Sequence, residues 1–295
     1  MALTALASSA LASPAWAHDN DGEYWLAQRN QIVVTATRSP IKIEEAPVSV
    51  TIMTDEQIAD ELVTDIKDLV RFEPGVSVQR QPARFNAALS AVGRAGNEGF
   101  TIRGIGGNRV LIQVDGVRVP DGFSFGAQST GRGDYVDLGL IKSVEILRGP
   151  ASALYGSDGL SGAVSFITAD PVDFLKDGKN IGGLVSAAFN SADQEFTETA
   201  IIAGQSGPWS AMAAFTRRDF QELDNQGTVG GLGATRTLPN PQDGRSNAAL
   251  ARLVYDPASG HKLRVTGEWL DTRLFTEGLS GRSASVDLLE ALDGS

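Results

Sequence analysis

Residues able to do chemistry are few in this chain, and their spacing points away from catalysis. There are two histidines and no cysteine, which excludes thiolate metal sites and thiol nucleophiles. No Ser is paired with a His, and no cluster carries metal-ligand spacing. Gly104-Ile105-Gly106-Gly107 lacks the spacing of a nucleotide loop and leads into an extended segment instead of a helix. Arg132-Gly133-Asp134 sits in a glycine-rich stretch and is read as chance. What remains is Arg103 and Arg148, each following apolar strand residues. Such a position puts a cation inside the fold, where an unpaired charge is costly. The chemistry on offer is therefore charge-assisted latching, with Glu145 and Asp115 as partners inside the same domain, or carboxylates elsewhere in the molecule.

Composition narrows the class. The 295 residues are 42% hydrophobic and carry a formal net charge of −11, which argues for an ordered chain and against a duplex nucleic-acid binder. The 33 glycines exceed average usage and imply many tight turns. The absence of cysteine excludes a disulfide scaffold. An apolar run over residues 1–7 and the small-residue ending Ala15-Trp16-Ala17 read as a secretory signal over residues 1–17, although no basic residue precedes the run. An ordinary buried helix is the other reading. No later segment approaches the ~18 consecutive apolar residues of a membrane helix, so a membrane location would require the strands of a closed barrel.

The elements that must position the arginines follow in order. Residues 18–38 are a flexible leader ending in the β-branched run Ile32-Val33-Val34-Thr35-Ala36-Thr37, suited either to adding a strand to a partner's sheet edge or to an edge strand of its own domain. Val48 to Ile52 alternates as a strand. Thr54-Asp55-Glu56-Gln57 is a capping box that opens a helix through about Ala59, and Thr64 to Val70 reads as a second short helix ended before Pro74-Gly75. Strands are expected at 76–79, 100–104, 110–114, 141–147 and 163–167, with a mobile loop over 79–99. Together residues 39–170 make a small mixed-sheet α+β domain of ordinary size.

After Pro171 the texture changes to alternating segments, the sequence signature of a transmembrane barrel. Leu263, Val265 and Trp269 are expected to face lipid, with Lys262, Arg264, Thr266 and Glu268 on the lumen side. A one-residue slip would reverse every one of these. Trp209, Ala211, Ala213 and Phe215 form a second outward face, and Val185, Ala187 and Phe189 a third. Ser206-Gly207-Pro208 and residues 256–260 are tight connections, whereas residues 220–244 form a long polar loop. Periodicity alone also allows a secreted β-sandwich binding module.

Two runs, Ile32 to Thr37 and the later Arg148-Gly149-Pro150-Ala151-Ser152-Ala153-Leu154-Tyr155-Gly156, decide between these. With Ile102-Arg103-Gly104 and the turn Val114-Asp115-Gly116-Val117 between them, they resemble a TonB-dependent outer-membrane receptor. The resemblance implies a signal peptide (1–17), a leader with the TonB box (18–38), a plug domain (39–170) and the first antiparallel strands of a β-barrel (181–295). The family's barrels have about 22 strands, and five are found here, so the barrel is incomplete in this chain. The resemblance further implies no enzyme activity, a Gram-negative outer-membrane location, and TonB with its inner-membrane energising complex, outer-membrane lipid and an extracellular iron or haem ligand as partners. Ile32, Val33, Val34, Thr35, Ala36 and Thr37 would bind TonB, and Arg103 and Arg148 would latch the plug to glutamates of the barrel wall. Gly104, Asp115, Gly116, Gly149, Pro150, Tyr155 and Gly156 are family markers with turn chemistry.

No permanently bound cofactor is implied, and haem or a ferric chelate would be cargo. The run from Gly99 to Leu111 and Tyr135-Val136-Asp137-Leu138 look most like the haem and haemoglobin branch. The chain departs from that branch in having no plug histidine. Tyr135 is the one ferric-iron ligand candidate, packing being its alternative role. Ferric siderophore, cobalamin and glycan remain as other ligands.

Overall fold

The computed structural model describes residues 32–33, 41–42, 49–78, 84–85, 91–92, 99–125, 128–131, 135–151, 159–175, 178–257 and 261–282. The signal segment, most of the leader, Val34 to Thr37, Tyr155 and Gly156 lie outside the described residues. Two bodies of secondary structure follow one another: a mixed α+β domain, then a five-stranded antiparallel sheet.

In the first domain, β1 (Ser49–Thr54) leads into helix α1 (Asp55–Asp60). The capping box forms as its residues dictate: Thr54 accepts from the backbone of Gln57 while the Gln57 side chain accepts from the backbone of Thr54. Thr64 to Val70, read as a helix from sequence, keeps only a 3-10 turn over Asp68–Val70. The Asp65 carboxylate takes the N–H groups of Lys67 and Asp68, and that local bonding competes with helical pairing. Next come β2 (Val76–Val78), β3 (Phe100–Ile102), β4 (Val110–Val114), β5 (Val117–Arg118), β6 (Ile141–Arg148) and β7 (Gly162–Thr168). Within the expected 79–99 loop, Arg84–Phe85 and Ala91–Val92 pair as a short ladder.

The main sheet runs β1-β6-β7-β4-β5, with β7 and β4 parallel and the other pairs antiparallel. The turn between β4 and β5 is Asp115-Gly116, both at positive φ (47° and 82°), as a two-residue hairpin requires. Ile112, Val144, Ile146, Val164 and Phe166 point to one face and pack with Ile58, Leu69 and Val70. Gly162 sits where a Cβ would lie 2.2 Å from the Leu147 carbonyl oxygen, so only glycine lets β7 approach β6 there.

The second body is β8 (Ile181–Asn190), β9 (Glu195–Ser206), β10 (Trp209–Gln221), β11 (Gln242–Tyr255) and β12 (Leu263–Thr276), paired in sequence order. Alternation sorts its faces as expected: Trp209, Ala211, Ala213 and Phe215 are exposed, and Ser210, Met212, Ala214 and Thr216 are buried. Leu263, Val265 and Trp269 are likewise outward, whereas on the inner side Arg264 bonds to Asp170 of the first domain and Thr266 accepts from Arg252 of the neighbouring strand β11. The long loop is shorter than its polarity suggested, because pairing extends to Phe220 opposite Gly244 and Gln221 opposite Asp243. The rings of Trp209 and Tyr255 meet at a tilt of 41° with centroids 4.5 Å apart beside the Gly207-Pro208 turn, giving one rim an aromatic pair. Inward residues Ile201, Ala203, Met212, Ala214, Ala248 and Leu250 pack against Leu140 and Ala169 of the first domain. That contact makes the sheet a wall and the first domain its filling.

Candidate functional site: the junction of domain and wall

Along β11 the inward positions are Ala248, Leu250, Arg252 and Val254, so one cation is delivered into an otherwise apolar stripe. The Arg252 side chain is 0% exposed. Its Nη2 donates to Asp115 Oδ2 at 2.5 Å and to the Thr168 hydroxyl. Its Nη1 donates to the carbonyls of Thr168 (3.2 Å) and Ala169 (2.7 Å) and to Asp170 Oδ1 (3.0 Å), and its Nε donates to Thr266 Oγ1 (3.1 Å). Asp115 in turn accepts from the backbone and hydroxyl of Thr168, and Arg264 adds a second cation to Asp170. A planar guanidinium with five donors is the side chain that can serve so many acceptors at once.

A second cation, Arg218 on β10, meets Asp137 (2.8 Å) and Glu195 (3.0 Å) and donates to the Thr64 carbonyl at 3.3 Å. Asp137 also caps the Leu138–Leu140 turn through the Gly139 N–H. Gly139 lies so close to the wall that a Cβ there would come within 2.8 Å of the Thr199 hydroxyl and 2.9 Å of that of Thr216. Asn190 Nδ2 donates to Thr64 Oγ1 at 3.2 Å. Between the segment carrying Thr64 and the wall is a cavity of about 630 Å³, lined by Ile58, Leu62, Phe174, Leu184, Ile201 and Arg218 among others.

Among the described residues, the ion pairs that join domain and wall place cations on the strands and carboxylates on the domain. Asp115, weighed as a partner of Arg103 or Arg148, is claimed by Arg252. Arg148 stays within its own domain, 3.5 Å from Glu73 and donating to Thr51 Oγ1 (2.8 Å) and the Pro74 carbonyl (3.2 Å). Arg103 is exposed at φ 52°, its N–H bonded to the Gly75 carbonyl, and with Gly104 it forms a turn. Both turn on backbone geometry: positive φ at Arg103 swings the chain out of the strand, and Arg148 ends β6 opposite Ser49.

The Tyr135 ring packs edge-on against Phe166 at 5.9 Å, joining the core. Gly149 and Pro150 follow β6 as its exit. Of the proposed box, Ile32–Val33 pairs with Ile41–Lys42 as a short antiparallel ladder. No group of His, Asp and Glu among the described residues is arranged to hold a metal ion. Arg252 and Arg218 were legible in principle, because each is a charge in the inward phase of an alternating strand.

Residues 42–163 match the TonB-dependent Receptor Plug Domain family. The chain is 30% identical over 247 residues to hemoglobin and hemoglobin-haptoglobin-binding protein A of Haemophilus influenzae, an alignment covering 79% of this chain and 21% of that protein. It is 33% identical over 196 residues to the hemin receptor of Yersinia enterocolitica, covering 65% and 26%. The FrpB iron transporter from Neisseria meningitidis (F3-3 variant) superposes with a TM-score of 0.56 at 25% identity, over 74% of this chain and 30% of that one. The Serratia marcescens hemophore receptor HasR shares the fold, with a TM-score of 0.57 at 22% identity over 78% and 32%. The chain spans about a fifth of the length of the first of these curated relatives. A plug-domain match, a mixed sheet seated on antiparallel wall strands and relatives of this kind agree: the chain belongs to the TonB-dependent receptors of the Gram-negative outer membrane.

Proposed function

We propose that this chain is the plug and first wall strands of a receptor that takes up an iron-bearing ligand, haem or haemoglobin-derived haem, across the outer membrane. The observation that carries the reading is the plug–wall junction: a buried arginine of the wall is held by carboxylate and carbonyl partners of the plug, and separating the two requires work. That work would come from TonB and its inner-membrane complex acting on Ile32 to Thr37. The strands would close into a barrel, the outward residues meeting lipid. Haem as cargo is supported by the names of the relatives that bind hemoglobin and hemin. A ferric siderophore is the second reading, favoured by one fact: no histidine lies between His18 and His261, so no plug imidazole is available to ligate haem iron. In this reading Arg103 and Arg148 serve the plug's own turns and edges, with pairing to further wall carboxylates as their proposed latch role.

The experiment is uptake with haemin as sole iron source, compared between the native sequence and Val34→Pro. Proline removes a main-chain donor from the box. Uptake should vanish while haemin binding to outer membranes, read from its Soret band, persists. Undiminished uptake by the variant would overturn the assignment of the box, and a receptor that binds a ferric siderophore but not haemin would decide for the second reading.

A further inference from the structure

Arg252 belongs to the wall and its side chain is wholly buried, yet most of its acceptors belong to the plug. Asp115, the Thr168 hydroxyl, the carbonyls of Thr168 and Ala169, and Asp170 are all plug groups, whereas Thr266 Oγ1 is on the wall. Whenever the plug is not seated, the guanidinium keeps its place on β11 and loses those plug partners together. Strand register shows what the wall can offer instead. On β10 the residue opposite Arg252 is Met212, with Ser210 and Ala214 as its inward neighbours. Along β11 the inward neighbours are Leu250 and Val254. On β12 the opposite residue is Thr266, and the same inward phase sets Arg264 to one side and Glu268 to the other. Glu268 is therefore the one carboxylate among these wall neighbours of Arg252. Diagonal neighbours on paired strands lie ~7–8 Å apart, within reach of long side chains. The Glu268 carboxylate attracts the Arg252 guanidinium and repels Asp115.

We propose that Glu268 is the reserve partner of Arg252: with the plug unseated, the guanidinium turns along the inner face of β12 and pairs with Glu268, so that the wall holds no unpaired cation and seating of the plug stays reversible. The inference needs a plug that can leave the wall, and it is independent of what the receptor carries. Both residues belong to the wall, so their attraction shifts the seating equilibrium only by the difference between its two states. Seated, Arg252 is committed to several plug acceptors, and Glu268 acts on it from a distance. Unseated, the two form a charge-assisted pair, weakened by lumen water. Removing the Glu268 charge therefore penalises the unseated state and tightens the seat. A carboxylate that only steadied Arg252 for Asp115 would act with the opposite sign, since its loss would loosen the plug.

The test is Glu268→Gln in the intact receptor in outer-membrane vesicles, read by amide hydrogen exchange in peptides covering 110–118 and 162–170. Urea is added until exchange there is measurable, and strands β9 and β10 report whether the wall stays folded. The same substitution is made in an Asp115→Asn background, which removes the repulsion between the two carboxylates and leaves Asp170, Thr168 and Ala169 to hold Arg252. The expected result is exchange slowed about fivefold by Glu268→Gln in both backgrounds, the upper range for a solvent-exposed pair. Glu268→Asp keeps the charge and shortens its reach, so it should give part of that slowing, and it supplies the comparison if the amide disturbs the wall. Faster exchange in Glu268→Gln would make Glu268 a support of the seated plug and overturn the proposal. So would a change within about twofold. Slowing in the native background that vanishes with Asp115→Asn would reduce the effect to carboxylate repulsion, and the reserve pairing would have to be withdrawn.

Discussion

Replacing Arg252 with Met keeps an unbranched side chain in the β11 stripe and removes the guanidinium. Asp115 and Asp170 lose a partner, and two carbonyls and the Thr168 hydroxyl lose a donor. Removing one member of a buried pair costs about 3–5 kcal/mol. Two facts pull the figure to the lower end: the Asp115 and Asp170 side chains are 24% and 17% exposed, so both recover hydration, and Asp170 keeps Arg264 at 2.5 Å. About 3 kcal/mol of lost docking corresponds to roughly a hundredfold rise in the undocked plug population, at ~1.4 kcal/mol per factor of ten. Amide hydrogen exchange of the receptor in outer-membrane vesicles reads this directly in peptides covering 110–118 and 162–170. Protection there should fall by about two orders of magnitude, while wall strands β9 and β10 keep theirs. Arg252→Lys should fall between, since an ammonium cannot fork across Asp115 and the carbonyls together. Adding Asp115→Asn to Arg252→Met should recover part of the loss, giving a coupling above ~0.5 kcal/mol. Protection unchanged within about threefold, or the same loss with and without Asp115→Asn, would refute the electrostatic account of the junction.

Other parts of the fold give independent checks. Ala213 is outward and central on β10, so Ala213→Arg should cost about 2–4 kcal/mol at the bilayer midplane and lower the folded fraction recovered in outer membranes; normal assembly would contradict the lipid-facing assignment. Gly162→Ala drives a Cβ onto the Leu147 carbonyl and should destabilise the plug by about 1–3 kcal/mol as overpacking does, seen as a lower melting temperature in detergent. Burial raises the Asp68 pKa, but hydrogen bonds from Arg71 and Thr64 outweigh it and hold the carboxyl below its usual range. Its folded value lies below the unfolded one of about 3.9, so its stabilisation is complete above that value and fades as pH falls through the folded value. Asp68→Asn should flatten plug stability against pH in that acid window, and an unaltered profile would remove Asp68 from the account.

Much of this architecture was legible one residue at a time. The capping box at Thr54 and Gln57, the Asp115-Gly116 hairpin turn and the inward–outward phase of Trp209 to Phe215 are local properties. Backbone dihedrals and a period of two fix them within a few neighbours, and they survived into the structure. The Thr64 to Val70 segment misled because Asp65 offered its own backbone an equally local alternative to the helix. The site was harder. Arg103 and Arg148 were singled out for following apolar runs, yet one turns outward on positive φ and the other closes on Glu73 within the plug.

By itself the sequence determined the strands, their facing and the family, because alternation, turn chemistry and short motifs are written in adjacent residues. Only the tertiary structure decided which charges meet. Arg252 and Asp115 are 137 positions apart, as Arg218 and Thr64 are 154 apart. Whether an inward cation finds a carboxylate depends on the register of β11 against β10 and on where the plug sheet rests on the wall, and no local rule carries that information.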